Sequence, residues 1–266
     1  MPGTGGMVAP RGGPQLIPRP SAARPGPGAW WGRAGVRPPE VITVAQVREA
    51  FACQVDPIDD VGGTPERVST RELSNQVELP GRDPRPAAVL CALFDDGGQA
   101  AVVLTRRSAR LRSHTGEVSF PGGRLDPGET PAAAALREAR EEVGLDPADI
   151  EIIGTLNPLA TVTSRSAIRP FVGVLGRRPE LRPNAAEVDR AFTVRLAELV
   201  SPGTYHDELW PPLDTPIHFF DIPGETIWGA TARMLRELLD RVVPPPGTTT
   251  RPGSGTGAGL GTVEQS

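Results

Sequence analysis

A chain of 266 residues with 38% hydrophobic content and a formal net charge of −4 holds one large domain or two small ones, with part of its length left unpacked. Its 31 Gly and 31 Pro gather towards the two ends, so residues 1–39 and 244–266 are expected as disordered tails. Residues 1–40 carry five Arg and one acidic residue, leaving 23 Arg against 31 acidic residues beyond them; this balance, with no run mixing basic and aromatic residues, excludes a nucleic-acid-binding surface.

All the basic residues are Arg, which reads as codon bias and lowers the functional weight of any single one. The two cysteines, Cys53 and Cys91, stand far apart without a partner motif, so they are read as reduced thiols, neither a disulfide framework nor a zinc site. With no apolar run long enough to span a bilayer and no compact apolar stretch at the N-terminus, a cytoplasmic protein with no membrane partner is expected. The pair Trp30–Trp31 is either a small element that docks back on the domain or an exposed accident of a disordered arm.

In chain order, Val44, Val47 and Phe51 fall at helical spacing within Val41–Gln54, giving a short amphipathic helix followed by a polar linker, together residues 40–85. The main domain is expected over 86–243. Ala87–Phe94 and Ala100–Arg107 are apolar runs on either side of "DDGGQ", a hairpin signature. A loop then leads to a helix over about Thr130–Val143, with Thr130 as N-cap, Pro131 in the first helical position and Gly144 as the stop. Ile150–Leu156, Ala167–Leu175 and Ala191–Leu196 read as strands, and Pro170 pushes the second towards a sheet edge or a bulge. Ile217–Ile222 and "TIWG" suggest a late hairpin, followed by an amphipathic helix over Ala230–Val242. Strands and helices mix without regular alternation, which predicts an α+β fold built on a mixed sheet flanked by helices.

The helix after Thr130 poses the chemical question. Ala132, Leu136, Ala139 and Val143 form its core face, while Glu138, Glu141 and Glu142 fall within about a 100° arc opposite. Carboxylates at such spacing repel by roughly 0.2–0.5 kcal/mol per pair. Two readings follow: a solvated acidic face laced with Arg137 and Arg140, or a cation site in which all three carboxylates supply oxygen ligands to Mg²⁺.

The surrounding residues favour the second. Gly123, Glu129, Arg137–Glu138–Ala139, Glu141–Glu142 and Gly144–Leu145 stand at the spacings of the Nudix box, and the segment resembles that signature at every fixed position except for a smaller residue at Ala139. Upstream, Leu104–Thr105, Arg107–Ser108, Arg112, Gly116 and Phe120–Pro121–Gly122–Gly123 are similar to the signature of the coenzyme A pyrophosphatase branch of the Nudix superfamily, with Val103 where Leu is usual. The resemblance covers about residues 86–243 and implies the Nudix fold, a mixed sheet between helices. It also implies water attack on phosphorus in a diphosphate, with Mg²⁺ or Mn²⁺ as cofactor.

Carried onto this chain, the resemblance makes Glu138 and Glu142 metal ligands and Glu141 either a third ligand or the group that orients water. Arg137 becomes the partner of Glu129 and of the helix carboxylates. Glu187, in "NAAEVDRAF", is the other candidate base. Arg107 and Arg112 are candidate phosphate contacts, and Gly122, Gly123 and Gly128 let the backbone turn tightly beside the substrate. His114, His206 and His218 receive no chemical role. The implied reaction takes CoA or acyl-CoA to 3′,5′-ADP and 4′-phosphopantetheine or its acyl form. The alternatives are another nucleoside diphosphate derivative or dNTP as substrate, and a non-catalytic nucleotide-binding module. Oligomeric state is left open.

Overall fold

The computed structural model describes residues 12–52, 84–108, 116–161, 165–212 and 215–245. In chain order it holds β1 (Arg24–Pro25), α1 (Val44–Ala52), β2 (Arg85–Asp95), β3 (Ala100–Arg107), β4 (Val118–Ser119), β5 (Gly122–Arg124) and α2 (Pro131–Val143). These are followed by β6 (Ile150–Thr155), β7 (Leu159–Thr161), β8 (Ser166–Leu175), β9 (Val188–Arg195) and α3 (Leu196–Leu199). The order ends with β10 (Tyr205–Leu209), β11 (Pro216–Ile222), β12 (Glu225–Trp228) and α4 (Gly229–Val242).

The centre of the larger sheet is β2. It pairs in parallel with β8 on one side and antiparallel with β3 and the short β5 on the other. Beyond β3 lies β9, and beyond β8 lie β6 and β7, both antiparallel. Because side chains alternate along a strand, Ala88, Leu90, Ala92 and Phe94 of β2 pack with Ala132, Ala135, Ala139 and Val143 of α2. Cys91 and Leu93 point the other way, into a core shared with α1, α4 and the second sheet. A strand buried on both faces must be apolar throughout, and that is why β2 reads as an unbroken run. The sheet thus lies between helices, in the α+β arrangement that the sequence predicts.

Helix α2 begins and ends where its capping residues place it. The Thr130 hydroxyl accepts from the Ala133 amide at 3.3 Å, Pro131 fills the first turn, and Gly144 adopts φ 75°. Only glycine takes that conformation without strain.

Two expectations change. Pro170 is not at an edge, since β8 has partners on both sides. Its carbonyl accepts from the Leu156 amide at 3.1 Å, in the gap between the end of β6 and the start of β7. A strand residue's N–H and C=O point the same way, so the missing N–H also faces that gap and costs the ladder nothing.

The described part of the arm read as disordered, residues 12–39, supplies strand β1 to the second sheet, whose order is β1-β10-β11-β12. The Gly26 amide donates to the Asp207 carbonyl at 2.8 Å, and the Gly28 amide to Asp207 Oδ1 at 2.9 Å. Trp31 is buried against Tyr205, and Trp30 Nε1 donates to the Val243 carbonyl at 3.1 Å. The tryptophan pair is therefore a docking element. The arm is aperiodic because it is ordered by contacts with a sheet edge far along the chain, which leave no periodic signal in its sequence. Helix α1 joins the same core through Val47 and Phe51. Among the described residues, no helix is long and apolar enough to cross a membrane.

Candidate active site

The site begins with the small residues beneath α2. Gly122 and Gly123 pair with Val89 and Ala88 as strand β5; they are not the loop residues that the sequence suggests. Without side chains there, the helix carboxylates descend onto the strand. A Cβ on Gly123 would lie 2.4 Å from the carboxyl carbon of Glu138.

Glu142 goes deepest. Its side chain is 4% exposed, its Oε2 accepts from the Gly122 amide at 3.2 Å, and Arg107 Nη1 stands 3.8 Å from its Oε1. Burial pushes its pKa up to about 7. The Gly122 amide and Arg107 oppose that rise, and the charges of Glu138 and Glu187 add to it. Glu138 is also raised, first by burial, with Arg137 opposing and Glu141 and Glu187 adding.

Arg137 organises the rim. Its Nε and Nη2 donate to the two oxygens of Glu129 at 2.8 and 3.0 Å, and Nη2 also donates to the Arg124 carbonyl at 3.0 Å. Its Nη1 donates to Glu138 at 2.9 Å and to Glu141 at 3.3 Å. A guanidinium has five N–H donors, and all of them are used here. Such a fork fixes carboxylate orientation as a lysine could not, and the Arg137 guanidinium in turn holds Glu129 below the ordinary carboxylate range.

A cavity of about 760 Å³ opens over this floor, lined by Arg107, Gly122, Gly123, Glu138, Glu142 and Glu187 among others. Glu187 reaches it from the turn before β9, where its carbonyl accepts from the Ser108 amide at 2.8 Å. Glu141 does not line the cavity. Its side chain is 58% exposed and bound to Arg137 at the rim, so the glutamates that share one arc on a helical wheel divide into two facing the cavity and one outside. Arg112 and His114 lie outside the described residues. His206 stacks on Phe219 with ring centroids 4.7 Å apart, and Cys91 is a buried free thiol pushed up by burial.

The donor set suits a hard divalent cation, because it is all carboxylate and one member is buried with one amide donor and a guanidinium at a distance. The side chains share a cavity without converging: among the described residues, no three Asp, Glu, His or Cys groups are gathered closely enough to hold a metal ion. Sequence reasoning missed part of the cavity lining, namely His218, Trp228 and Arg233. These come from β11, β12 and α4, and no local pattern ties them to the glutamates.

A model of the NUDIX domain matches residues 84–216, and relatives over 30% identical are covered for most of their length. The chain belongs to the Nudix superfamily. It is 38% identical over 161 residues to the uncharacterized Nudix hydrolase NudL of Photorhabdus laumondii, an overlap of 59% of this chain and 85% of that protein. To NudL of Escherichia coli K12 it is 36% identical over 174 residues, 62% of this chain and 87% of the other. A MutT/nudix family protein from Enterococcus faecalis superposes with a TM-score of 0.43 at 17% identity, covering 75% of this chain and 74% of that one. The NUDIX match takes in α2, β5 and Glu187, and it ends at Pro216, before His218 and Trp228.

The two strand glycines of this Nudix domain make separable predictions. A Cβ on Gly122 would lie 2.4 Å from the Ala88 carbonyl oxygen and 2.6 Å from Val89 Cα, both backbone atoms. Gly122→Ala is therefore expected to lower stability by about 1–3 kcal/mol in denaturant titrations. Gly123→Ala meets only the carboxyl end of the Glu138 side chain and no backbone atom, so it is expected to melt near the parent while losing about 10–100-fold in turnover. Equal behaviour of the two variants would show that Glu138 does not use the space over Gly123.

Proposed function

We propose that this protein is a metal-dependent pyrophosphohydrolase that cleaves CoA or acyl-CoA to 3′,5′-ADP and 4′-phosphopantetheine or its acyl form. The observation that carries the hydrolase reading is the meeting of Glu138, Glu142 and Glu187 with Arg107 in one cavity over β5. An anionic diphosphate would be repelled by that floor unless cations invert its charge. Glu138 and Glu142 would hold Mg²⁺ or Mn²⁺, with Glu141 as the other ligand candidate. When bound, the cation supplies the positive charge that draws the diphosphate in and stabilises charge on the phosphoryl oxygens.

The protein's own groups then orient the reaction. Arg137 fixes the Glu138 carboxylate, and Arg107 faces a phosphate oxygen. A carboxylate takes a proton from water as its oxygen bonds to phosphorus and the P–O–P bridge breaks. Glu187 suits that role better than Glu141, because Glu187 lines the cavity whereas Glu141 is held by Arg137 outside it. The CoA assignment is supported by the resemblance of the upstream signature; among its described members Arg107, Phe120, Gly122 and Gly123 line the cavity, and of these Arg107 brings the charged side chain.

The test is turnover of a panel of CoA, ADP-ribose, nucleotide sugars and dNTPs with Mg²⁺ or Mn²⁺. CoA is expected to be cleaved best, and Glu187→Gln to lose more activity than Glu141→Gln. Cleavage of another panel member with CoA untouched overturns the substrate. Binding without cleavage of any member makes the protein a nucleotide-binding module.

A further inference from the structure

The cavity lining includes a polar group that the proposed hydrolysis does not use. His218 lies on β11 opposite Asp207 of β10, two pairs along from Tyr205 and Phe220. Its Nδ1 is 2.8 Å from the Tyr205 hydroxyl oxygen. That oxygen also accepts from Arg236 Nη1 at 2.7 Å, and its proton lies within reach of Asp207 Oδ2 at 3.1 Å. Asp207 Oδ1 is already engaged by the Gly28 amide of the N-terminal arm.

One hydroxyl proton must serve this cluster, and its placement sets the histidine tautomer. If Tyr205 donated to His218, its lone pair would face the ionised Asp207 Oδ2 at 3.1 Å, a repulsive contact in a half-buried site. If Tyr205 donates to Asp207, then Arg236 and His218 Nδ1–H donate to its two lone pairs, and the hydroxyl is fully satisfied. The second arrangement leaves Nε2 with a bare lone pair. His218 lines the cavity, and Nε2 has no partner among the described residues. Burial first, then the positive charges of Arg236 and Arg233, hold this ring neutral against the opposing charge of Asp207, with its pKa pushed down to about 4.

We propose that His218 is a specificity residue: its Nε2 accepts a hydrogen bond from an amide N–H or hydroxyl of the organic group carried by the diphosphate, in the part of the cavity lined by β11, β12 and α4. The proposal rests on the reading of this cavity as a diphosphate-ester site. Tyr205, Arg236 and Asp207 are positioning residues that hold the acceptor tautomer. The ring of Trp228, in the same lining, gives the organic group an apolar surface.

Two measurements test it on the full chain. The sequence has three histidines, so nitrogen-15 NMR of labelled rings, with His218→Gln to assign the signal, reads the tautomer directly. The expected ring is protonated at Nδ1, bare at Nε2 and neutral down to about pH 5. Protonation at Nε2 overturns the proposal. Tyr205→Phe is expected to release the ring to a mixture of tautomers, and an unchanged spectrum would show that Tyr205 does not set it.

The second measurement is kinetic, on whichever panel substrate the parent cleaves, so failure of CoA as substrate leaves it intact. His218→Phe keeps the ring volume and removes the acceptor. KM is expected to rise about tenfold with kcat within about twofold, as for loss of an interaction made equally in ground and transition states. His218→Gln, whose amide oxygen reaches the Nε2 position, is expected to recover most of that loss. A KM for His218→Phe within about twofold of the parent overturns the proposal, and the NMR readout stands even if no panel member is cleaved.

Discussion

Replacing Glu142 with Gln is expected to cut kcat/KM by more than about 100-fold while leaving the metal-free protein as stable as the parent or more so. Loss of a residue that only supports a metal ligand typically costs about 10–100-fold, and Glu142 is proposed as a ligand itself. The stability half of the prediction follows from burial. The carboxyl is 4% exposed and its pKa is about 7 instead of the ordinary 4.5. A carboxylate whose folded pKa is raised contributes stability fully present below about pH 4.5 and lost as pH rises through about 7.

At pH 8 in EDTA the parent therefore carries a poorly solvated charge that the Gln variant lacks, a difference on the order of 1–3 kcal/mol. At pH 4 the two should melt together. Addition of Mg²⁺ or Mn²⁺ should raise the parent's melting temperature and leave the variant's unchanged, since a ligand stabilises only the state that binds it. A variant that keeps its activity, or one that gains no stability at pH 8, removes Glu142 from the metal site.

Trp31→Ala is expected to produce the largest loss of stability, about 3–5 kcal/mol, as for other buried aromatic truncations. Trp31 is 2% exposed, meets Tyr205 edge-on with ring centroids 5.7 Å apart, and lies under the Arg236 guanidinium at 4.9 Å. At about 2–4 °C per kcal/mol for a domain of this size, melting should fall by roughly 6–20 °C. The buried Nε1 of Trp31 has no hydrogen-bond partner among the described residues, and an unmade bond of this kind costs about 1–3 kcal/mol. Trp31→Phe removes that atom while keeping an aromatic ring, so it should melt much closer to the parent than Trp31→Ala does. A Trp31→Ala protein that melts within about 2 °C of the parent would show that the arm's docking contributes little to the fold.

The legible part of the site is the part written on α2. The periodicity of Ala132, Ala139 and Val143 identified the buried face, and Thr130, Pro131 and Gly144 identified the ends. Likewise "DDGGQ" marked the hairpin between β2 and β3, closed by the Asp96 amide on the Gln99 carbonyl at 2.7 Å. Each of these depends on residues within one or two turns of each other, and a linear sequence records such relations directly. The helical wheel also grouped Glu138, Glu141 and Glu142, but it could not say that Glu142 would be buried and Glu141 left at the rim. That division comes from β5 and Arg107 beneath one carboxylate and Arg137 holding the other.

The rest rests on distant pairings. The arm at Gly26–Trp31 is ordered by β10 and α4, the break at Pro170 is absorbed by the gap between β6 and β7, and Glu187 reaches the helix glutamates across the turn before β9. His218 meets the same cavity because β11 and β5 both contribute to its lining. The sequence by itself determined the helix, its caps, the first hairpin and the acidic motif, since local spacing and backbone preference suffice for them. The tertiary structure alone decided which carboxylates face the cavity, how far burial shifts them and which histidine joins them, because burial and charge environment are set by residues far apart along the chain.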